Sequence, residues 1–217
     1  MTTLLDPARY RSIICLHGAL PDSEFFRDIG LPIIAADGAA NTLRDIGITP
    51  DIIIGDLDSV DPAIIKYIPH IRIPLQDLSD FQKVLQYAEQ HSMLPSIICG
   101  LNGGCLDHII NNLNIFMSTE ATLMDDGIVG FTLSKRMELT VQPETKLSIF
   151  GVPKCIVSSN GLRWELNSHV LEFPGSTSCY NRAVTDRVEI DVHEGQALVL
   201  IYTDEVLDAG SSKIYNS

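Results

Sequence analysis

Short apolar runs alternate with amphipathic stretches over the first half of the chain. Ser12–Leu16 (SIICL), Ile33–Ala36 (IIAA), Asp51–Ile54 (DIII) and Ser96–Cys99 (SIIC) are rich in isoleucine and end near Gly or Asp. Apolar runs without polar alternation read as strands covered on both faces, and helical stretches between them predict parallel crossovers. One helix is predicted from near Ala39, after Asp37-Gly38. A second starts at Ser79, where SDFQ is a capping box with Ser79 as N-cap and Gln82 three residues on. Its apolar residues Phe81, Val84, Leu85 and Ala88 share one face. A third follows Gly103-Gly104, with Leu106, Ile109, Ile110, Leu113 and Met117 as its expected buried stripe.

After about Gly127 the rhythm changes. Met137–Val141, Lys146–Ile149, Val188–Val192 and Ala197–Tyr202 read as strands, punctuated by Pro143, Gly151, Pro153, Pro174, Gly175 and Gly195. This predicts an antiparallel β domain, with the boundary between Asp126 and Gly130. The expected fold is an α/β N-terminal domain with a parallel Rossmann-like sheet, residues 1–128. An all-β sandwich- or barrel-like domain, residues 129–217, follows. The chain shows no internal repeat and no low-complexity tract.

Composition narrows the function classes. The 217 residues are 45% hydrophobic and 20% charged, an ordinary globular balance. A formal net charge of −13 repels phosphate backbones, so no nucleic-acid partner is expected. The five cysteines, Cys15, Cys99, Cys105, Cys155 and Cys179, are odd in number and form no CxxC pair, which points to a reducing, cytoplasmic location. The N-terminal MTTLLDPARYR lacks the pattern of a secretory signal, and no apolar run approaches the roughly 20 residues of a membrane span.

The strongest local signal is Pro50–Ser59, PDIIIGDLDS. A buried strand ends at Gly55, which lets the backbone turn, and Asp56 and Asp58 follow at the strand's carboxyl edge, where open parallel sheets place their sites. Two aspartates one residue apart can hold a hard divalent cation; alternatively DLDS is a polar turn in which Asp58 or Ser59 caps the next segment. In QDLSDFQK (76–83), Asp77 and Asp80 suit a helix start through the dipole, or else supply a further carboxylate for metal, with Lys83 for phosphate. In GLNGGCLDHIINN (100–112), Gly103 and Gly104 free backbone N–H groups to face a phosphate at a helix N-terminus, although no P-loop GK[ST] follows. Asp107, His108, Asn111 and Asn112 leave the apolar stripe there. ADGAAN (36–41) offers Asp37 and Asn41 as nucleotide contacts, or as an N-cap and a surface amide. The single tryptophan, Trp164, is either a core residue or a platform for a flat cationic ring.

Taken in order, DGAAN, PDIIIGDLDS, QDLSDFQK, GLNGGCLDH and GLRW followed by STS resemble the thiamine pyrophosphokinase family, from about Ala35 to Ile201. The resemblance implies a homodimer whose α/β domain holds ATP and Mg2+. Its β domain forms the dimer interface, with thiamine in a cleft between subunits. By motif, it implies Asp56, Asp58 and Asp80 as magnesium ligands, with Lys83 and Asp107 bordering the phosphates. Asp37, Gly38 and Asn41 lie near the nucleotide, with Gly55, Ser59, Gly103, Gly104, His108 and Asn112 in the same binding set. Trp164 stacks on the thiamine pyrimidine near Ser176 and Ser178. The implied reaction is in-line attack of the thiamine hydroxyl on the β-phosphorus of ATP, releasing AMP, with Asp80 a candidate acceptor for the hydroxyl proton. Three positions depart from the family pattern: Ala39 for glycine, Cys105 for arginine and Cys179 for asparagine. The competing readings are another DxD nucleotide transferase and a non-catalytic thiamine or nucleotide sensor.

Overall fold

The computed structural model describes residues 5–203 and the backbone of residues 215–216. Residues 1–4, 204–214 and 217, which hold the outer ends of both expected domains and part of the segment read for a signal, lie outside the described residues. The chain divides into a unit of residues 7–126 and a unit that takes residues 5–6 with those from Gly127 onward.

In the first unit the elements are β1 (Ser12–Cys15), α1 (Ser23–Ile29), β2 (Ile33–Ala36), α2 (Ala39–Asp45), β3 (Ile52–Gly55), α3 (Pro62–Ile65), β4 (His70–Arg72), α4 (Asp80–Gln90), β5 (Ser96–Cys99), α5 (Leu106–Phe116) and β6 (Thr122–Asp125). The strands pair in parallel in the order β6-β5-β1-β2-β3-β4. Ile13, Ile14, Ile34, Ile53, Ile54, Ile97 and Ile98 are fully buried. Each such side chain contributes about 1.5–3 kcal/mol over exposure. The buried hydroxyls of Ser12 and Ser96, which open β1 and β5, bond each other at 2.8 Å. The polar start of each apolar strand is thereby satisfied.

The order runs outward from β1 through β2, β3 and β4, then returns to β5 on the other side of β1. The crevice at the carboxyl ends of β1 and β5 is therefore the topological switch point, where doubly wound sheets bind ligands. The predicted strands and all three predicted helices are present. The capping box forms as read: Ser79 Oγ accepts from Gln82 N–H at 3.3 Å, and Gln82 Oε1 accepts from Ser79 N–H at 3.0 Å. The short α1, α3 and β4 had no sequence signal long enough to register. Helix α1 is started by the Asp22 carboxylate, which accepts from Glu24 and Phe25 N–H.

The expected stripe on α5 needs correction. Leu106 and Ile110 are 72% and 60% exposed, while Ile115, Phe116 and Met117 are buried. Ile109 and Leu113 are half-buried. Periodicity identifies which face of a helix is apolar; it does not say how far along its length that face is covered. In α5 only the last turn is packed.

The second unit contains β7 (Ile128–Leu133), β8 (Arg136–Thr140), β9 (Lys146–Asn160), β10 (His169–Glu172), β11 (Ser178–Arg182), β12 (Arg187–Tyr202) and β13 (Tyr215–Asn216). All strand pairings among its described residues are antiparallel. The predicted strands Val188–Val192 and Ala197–Tyr202 are one continuous strand. Gly195, at φ 78, lies where its register against β9 shifts, a bulge that continues the strand instead of ending it. Likewise Gly151 and Pro153 fall inside β9 and do not terminate it. No helix among the described residues is long and apolar enough to cross a membrane.

Candidate active site

Strands β2 and β3 lie side by side and deliver the acidic residues to one rim. Asp37 follows β2, with its N–H bonded to Ile54 O at 2.9 Å and its φ at 44°. A non-glycine residue in the left-handed region costs about 1–3 kcal/mol, and such strain persists where function needs it. The Asp37 side chain lies over Gly55: a Cβ there would stand 2.7 Å from Asp37 Cβ and 3.1 Å from its Cγ. Gly55 is thus the space that admits this carboxylate. The chain then turns through Leu57, also left-handed at φ 65.

One carboxylate oxygen each from Asp37, Asp56 and Asp58 lies within 4.8 Å of the others. Asp37 is buried, Asp56 half-buried and Asp58 exposed. The buried Asp37 Oδ1 has no hydrogen-bond partner. Burial and the negative charges of Asp80, Asp56 and Asp58 raise the Asp37 carboxyl above its ordinary value, against the Ser59 hydroxyl, which acts the other way. Asp56 is held below its ordinary value, chiefly by a 3.0 Å hydrogen bond from Gln76 Nε2. An orphaned buried oxygen among three converging carboxylates fits a hard divalent cation, which would supply the missing partner and neutralise the repulsion.

The acidic triplet differs in one member from the magnesium set implied by the sequence motifs. Asp37, placed with the nucleotide contacts, joins Asp56 and Asp58. Asp80 is not in the triplet; its Oδ1 accepts from Lys83 Nζ at 2.9 Å. The Lys83 side chain is only 3% exposed, so Asp80 is its local counter-charge. Asp80 nevertheless exerts the largest charge effect on Asp37. Asp77 is exposed.

The surrounding polar side chains hold the acidic turn. Asn41 Nδ2 donates to Ser59 O at 2.7 Å and its Oδ1 accepts from Asp61 N–H at 2.9 Å, so both ends of that amide are engaged by the turn. Ser59 Oγ donates to Asp58 Oδ1 at 2.9 Å. Arg72 Nε donates to Asp56 O at 3.1 Å. Gly38 is buried, and a Cβ there would stand 3.0 Å from the His17 ring. Gln76, His17 and Arg72 have no signature of their own in the sequence; a lone polar residue in a loop or at a strand end carries no periodic signal.

Gly103, Gly104, Asp107 and His108 are exposed around the start of α5, and Asn112 is half-buried one turn on. Asp107 Oδ1 accepts from His108 N–H at 2.9 Å. Asp107 is outside the acidic triplet. Cys105 occupies the N-cap position without a side-chain cap.

In the C-terminal unit Trp164 is 59% exposed, which removes the core reading of that tryptophan. Its backbone N–H donates to Asn181 Oδ1 at 3.2 Å, and Asn181 Nδ2 donates to the Trp164 backbone O at 2.7 Å and to Ser178 Oγ at 3.2 Å. The buried Asn181 therefore binds the GLRW turn to β11. Glu165 accepts from Gly161 N–H, Leu162 N–H and Ser159 Oγ, fixing the same turn. Ser176 is exposed and Ser178 half-buried.

The chain is similar to known proteins in both of its units. The family model described as thiamin pyrophosphokinase, catalytic domain, matches residues 31–125. The model described as thiamin pyrophosphokinase, vitamin B1 binding domain, matches residues 135–196. Thiamine pyrophosphokinase 3 of Oryza sativa subsp. japonica is 29% identical over 154 residues, which are 61% of this chain and 58% of that protein. Thiamine pyrophosphokinase 1 of Arabidopsis thaliana is 26% identical over 196 residues, 73% of each chain. The solved structure of thiamin pyrophosphokinase from Candida albicans superposes with a TM-score of 0.80 at 16% identity, covering 93% of this chain and 92% of that one, a likeness of fold.

Proposed function

Because the chain belongs to the thiamin pyrophosphokinase family, we propose that it transfers a pyrophosphoryl group from ATP to thiamine, yielding thiamine diphosphate and AMP. The observation that carries this reading is the convergence of Asp37, Asp56 and Asp58 on one rim of the parallel sheet. Those three residues would hold Mg2+, which when bound supplies charge neutralisation for the phosphate chain.

The chain's own residues supply position and proton handling. Pyrophosphoryl transfer asks little covalent chemistry of a protein, so orientation and electrostatics contribute most of the acceleration. Lys83, held in place by its ion pair with Asp80, offers its ammonium to the anionic chain of ATP. Asp80 uses Oδ1 for that pair and presents Oδ2 to accept the thiamine hydroxyl proton. The backbone at Gly103, Gly104 and the start of α5 receives phosphate oxygens, with Asp107, His108 and Asn112 at its border. Trp164, exposed and pinned through Asn181, stacks on the thiamine pyrimidine, with Ser176 and Ser178 beside it. The reading includes a cytoplasmic homodimer assembled through the C-terminal unit.

The test is mass analysis of a reaction containing the protein, thiamine, ATP and Mg2+. Thiamine diphosphate and AMP in equal amounts are expected. ADP formation, or transfer to another acceptor, refutes the reading in favour of a different transferase. Tight thiamine binding without turnover refutes it in favour of a sensor, a reading supported by Cys105 standing where the family pattern has an arginine.

A further inference from the structure

One buried acid stands outside everything assigned above. Asp125 is the last residue of β6 and is only 3% exposed. Its Oδ1 accepts from Gly100 N–H at 2.6 Å and Leu101 N–H at 3.2 Å, and its Oδ2 accepts from Asn102 N–H at 2.7 Å. Three consecutive backbone N–H groups turned to one point make a concavity that attracts an anion. Here the protein fills it with its own carboxylate.

The segment so held has little freedom elsewhere. Ala19 N–H donates to Asn102 O at 2.6 Å, tying it to the loop that follows β1. A Cβ at Gly18 would overlap Asn102 O and Gly100 O, and one at Gly100 would overlap Leu16 O. Gly103 adopts φ 93, and a Cβ on it would lie 2.8 Å from Ala19 N. The two loops therefore pack backbone to backbone at the ends of β1 and β5, the switch-point crevice. Gly103 and Gly104 follow directly, and then α5 begins. Asp125 lies beneath this construction and does not open onto the crevice.

We propose that Asp125 is a positioning residue of the nucleotide site: it fixes the Gly100–Asn102 backbone, and through it the Gly103-Gly104 turn, in the shape that receives the phosphate chain. The inference rests on the proposed function for the identity of the ligand. The arrangement is costly for a purely structural acid, since burial pushes its carboxyl up to about 6 against the three N–H bonds that favour its charge. An asparagine of the same shape would turn an N–H2 donor toward at least one of those N–H groups and leave it unpaired.

The test compares equilibrium binding of adenosine, AMP and a non-hydrolysable ATP analogue, with Mg2+, to the full chain and to Asp125→Asn. Michaelis constants for ATP and thiamine are measured alongside. The expected result is a loss of about tenfold in analogue affinity, the equivalent of about 1.4 kcal/mol. Adenosine affinity and the thiamine KM should change by less than about twofold, within the ordinary effect of a remote substitution. Asp125→Glu keeps the charge and both acceptor oxygens but carries them one methylene further into the turn, and it should give the same phosphate-dependent pattern; it carries the test if Asp125→Asn fails to fold. Equal losses for adenosine and the analogue overturn the inference, as does unchanged analogue binding in a folded variant. So does a native protein that gains no affinity as phosphates are added. A protein that binds the series as described but forms no thiamine diphosphate overturns the proposed function and leaves the role of Asp125 standing.

Discussion

Replacing Gly55 with alanine inserts one methyl group where the Asp37 side chain sits. The new Cβ would stand 2.7 Å from Asp37 Cβ. Carbon atoms rest about 3.5–4.0 Å apart, so Asp37 must retreat by about 0.8 Å or more. Gly55 is not in the left-handed region, so the substitution adds no backbone strain, and the effect isolates the position of one carboxylate. Overpacking of this kind costs about 1–3 kcal/mol. For a chain of this size that lowers the melting temperature by about 2–4 °C per kcal/mol. The functional loss should be larger in proportion, because a misplacement of about 1 Å at a reacting centre costs about 10²-fold in rate. The assay is thiamine diphosphate formation across a Mg2+ titration, with melting followed in parallel. Turnover should fall by about 10²-fold and the Mg2+ midpoint should rise. In an Asp37→Ala background there is no carboxylate to displace, so Gly55→Ala should add almost nothing to the loss of turnover, while the melting cost persists because the Cβ at position 37 still meets the new methyl group. Native turnover and Mg2+ midpoint in Gly55→Ala, or full additivity of the turnover losses in the double variant, would refute the reasoning.

Asp58→Ala, at an exposed position, should abolish product formation with the melting temperature unchanged, and near-native turnover would remove Asp58 from the cation site. Asp125 should leave a pH signature in stability. Its carboxyl is raised from 3.8 to about 6 in the folded chain, so the folded state holds a proton that the unfolded state has released. That contribution is complete below about pH 4 and is lost as pH rises through about 6, a fall of up to about 3 kcal/mol that Asp125→Asn should not show in denaturant titrations. Trp164 is the chain's one tryptophan, so its fluorescence should be quenched by thiamine; Trp164→Ala should raise the thiamine KM without lowering stability, its side chain being 59% exposed.

Legibility in the sequence followed signal length and multiplicity. The Ile-rich runs and the Ser79 capping box carry several concordant residues each, and the elements they predict form. The stripe on α5 misled because Leu106 and Ile110 have the period of a buried face without a layer above them. Val188–Tyr202 was divided at Gly195, since a glycine that makes a bulge and one that ends a strand look alike in one dimension. In the site, Asp56 and Asp58 announced themselves by spacing. Asp37 could not be joined to them from sequence, because its approach depends on the parallel pairing of β2 with β3 and on the missing Cβ of Gly55. Asp125 was hidden in MDDG, which reads as an acidic turn; its partners are N–H groups, which every sequence possesses.

The two longest strands have a consequence of their own. β9 runs 15 residues and β12 runs 16, and they pair with each other along most of that span. At one end their outer neighbours are β7 and β11; at the other, β8 and β10. Neither group of neighbours can peel away without stripping a strand whose continuation anchors the other group. Loss of order in this half of the molecule is therefore all-or-none, and its slowest-exchanging amides should belong to one cooperative block spanning both groups. A strand-length deletion anywhere along β9 or β12 would cost the whole unit, whereas the hairpin tips leave room for insertion.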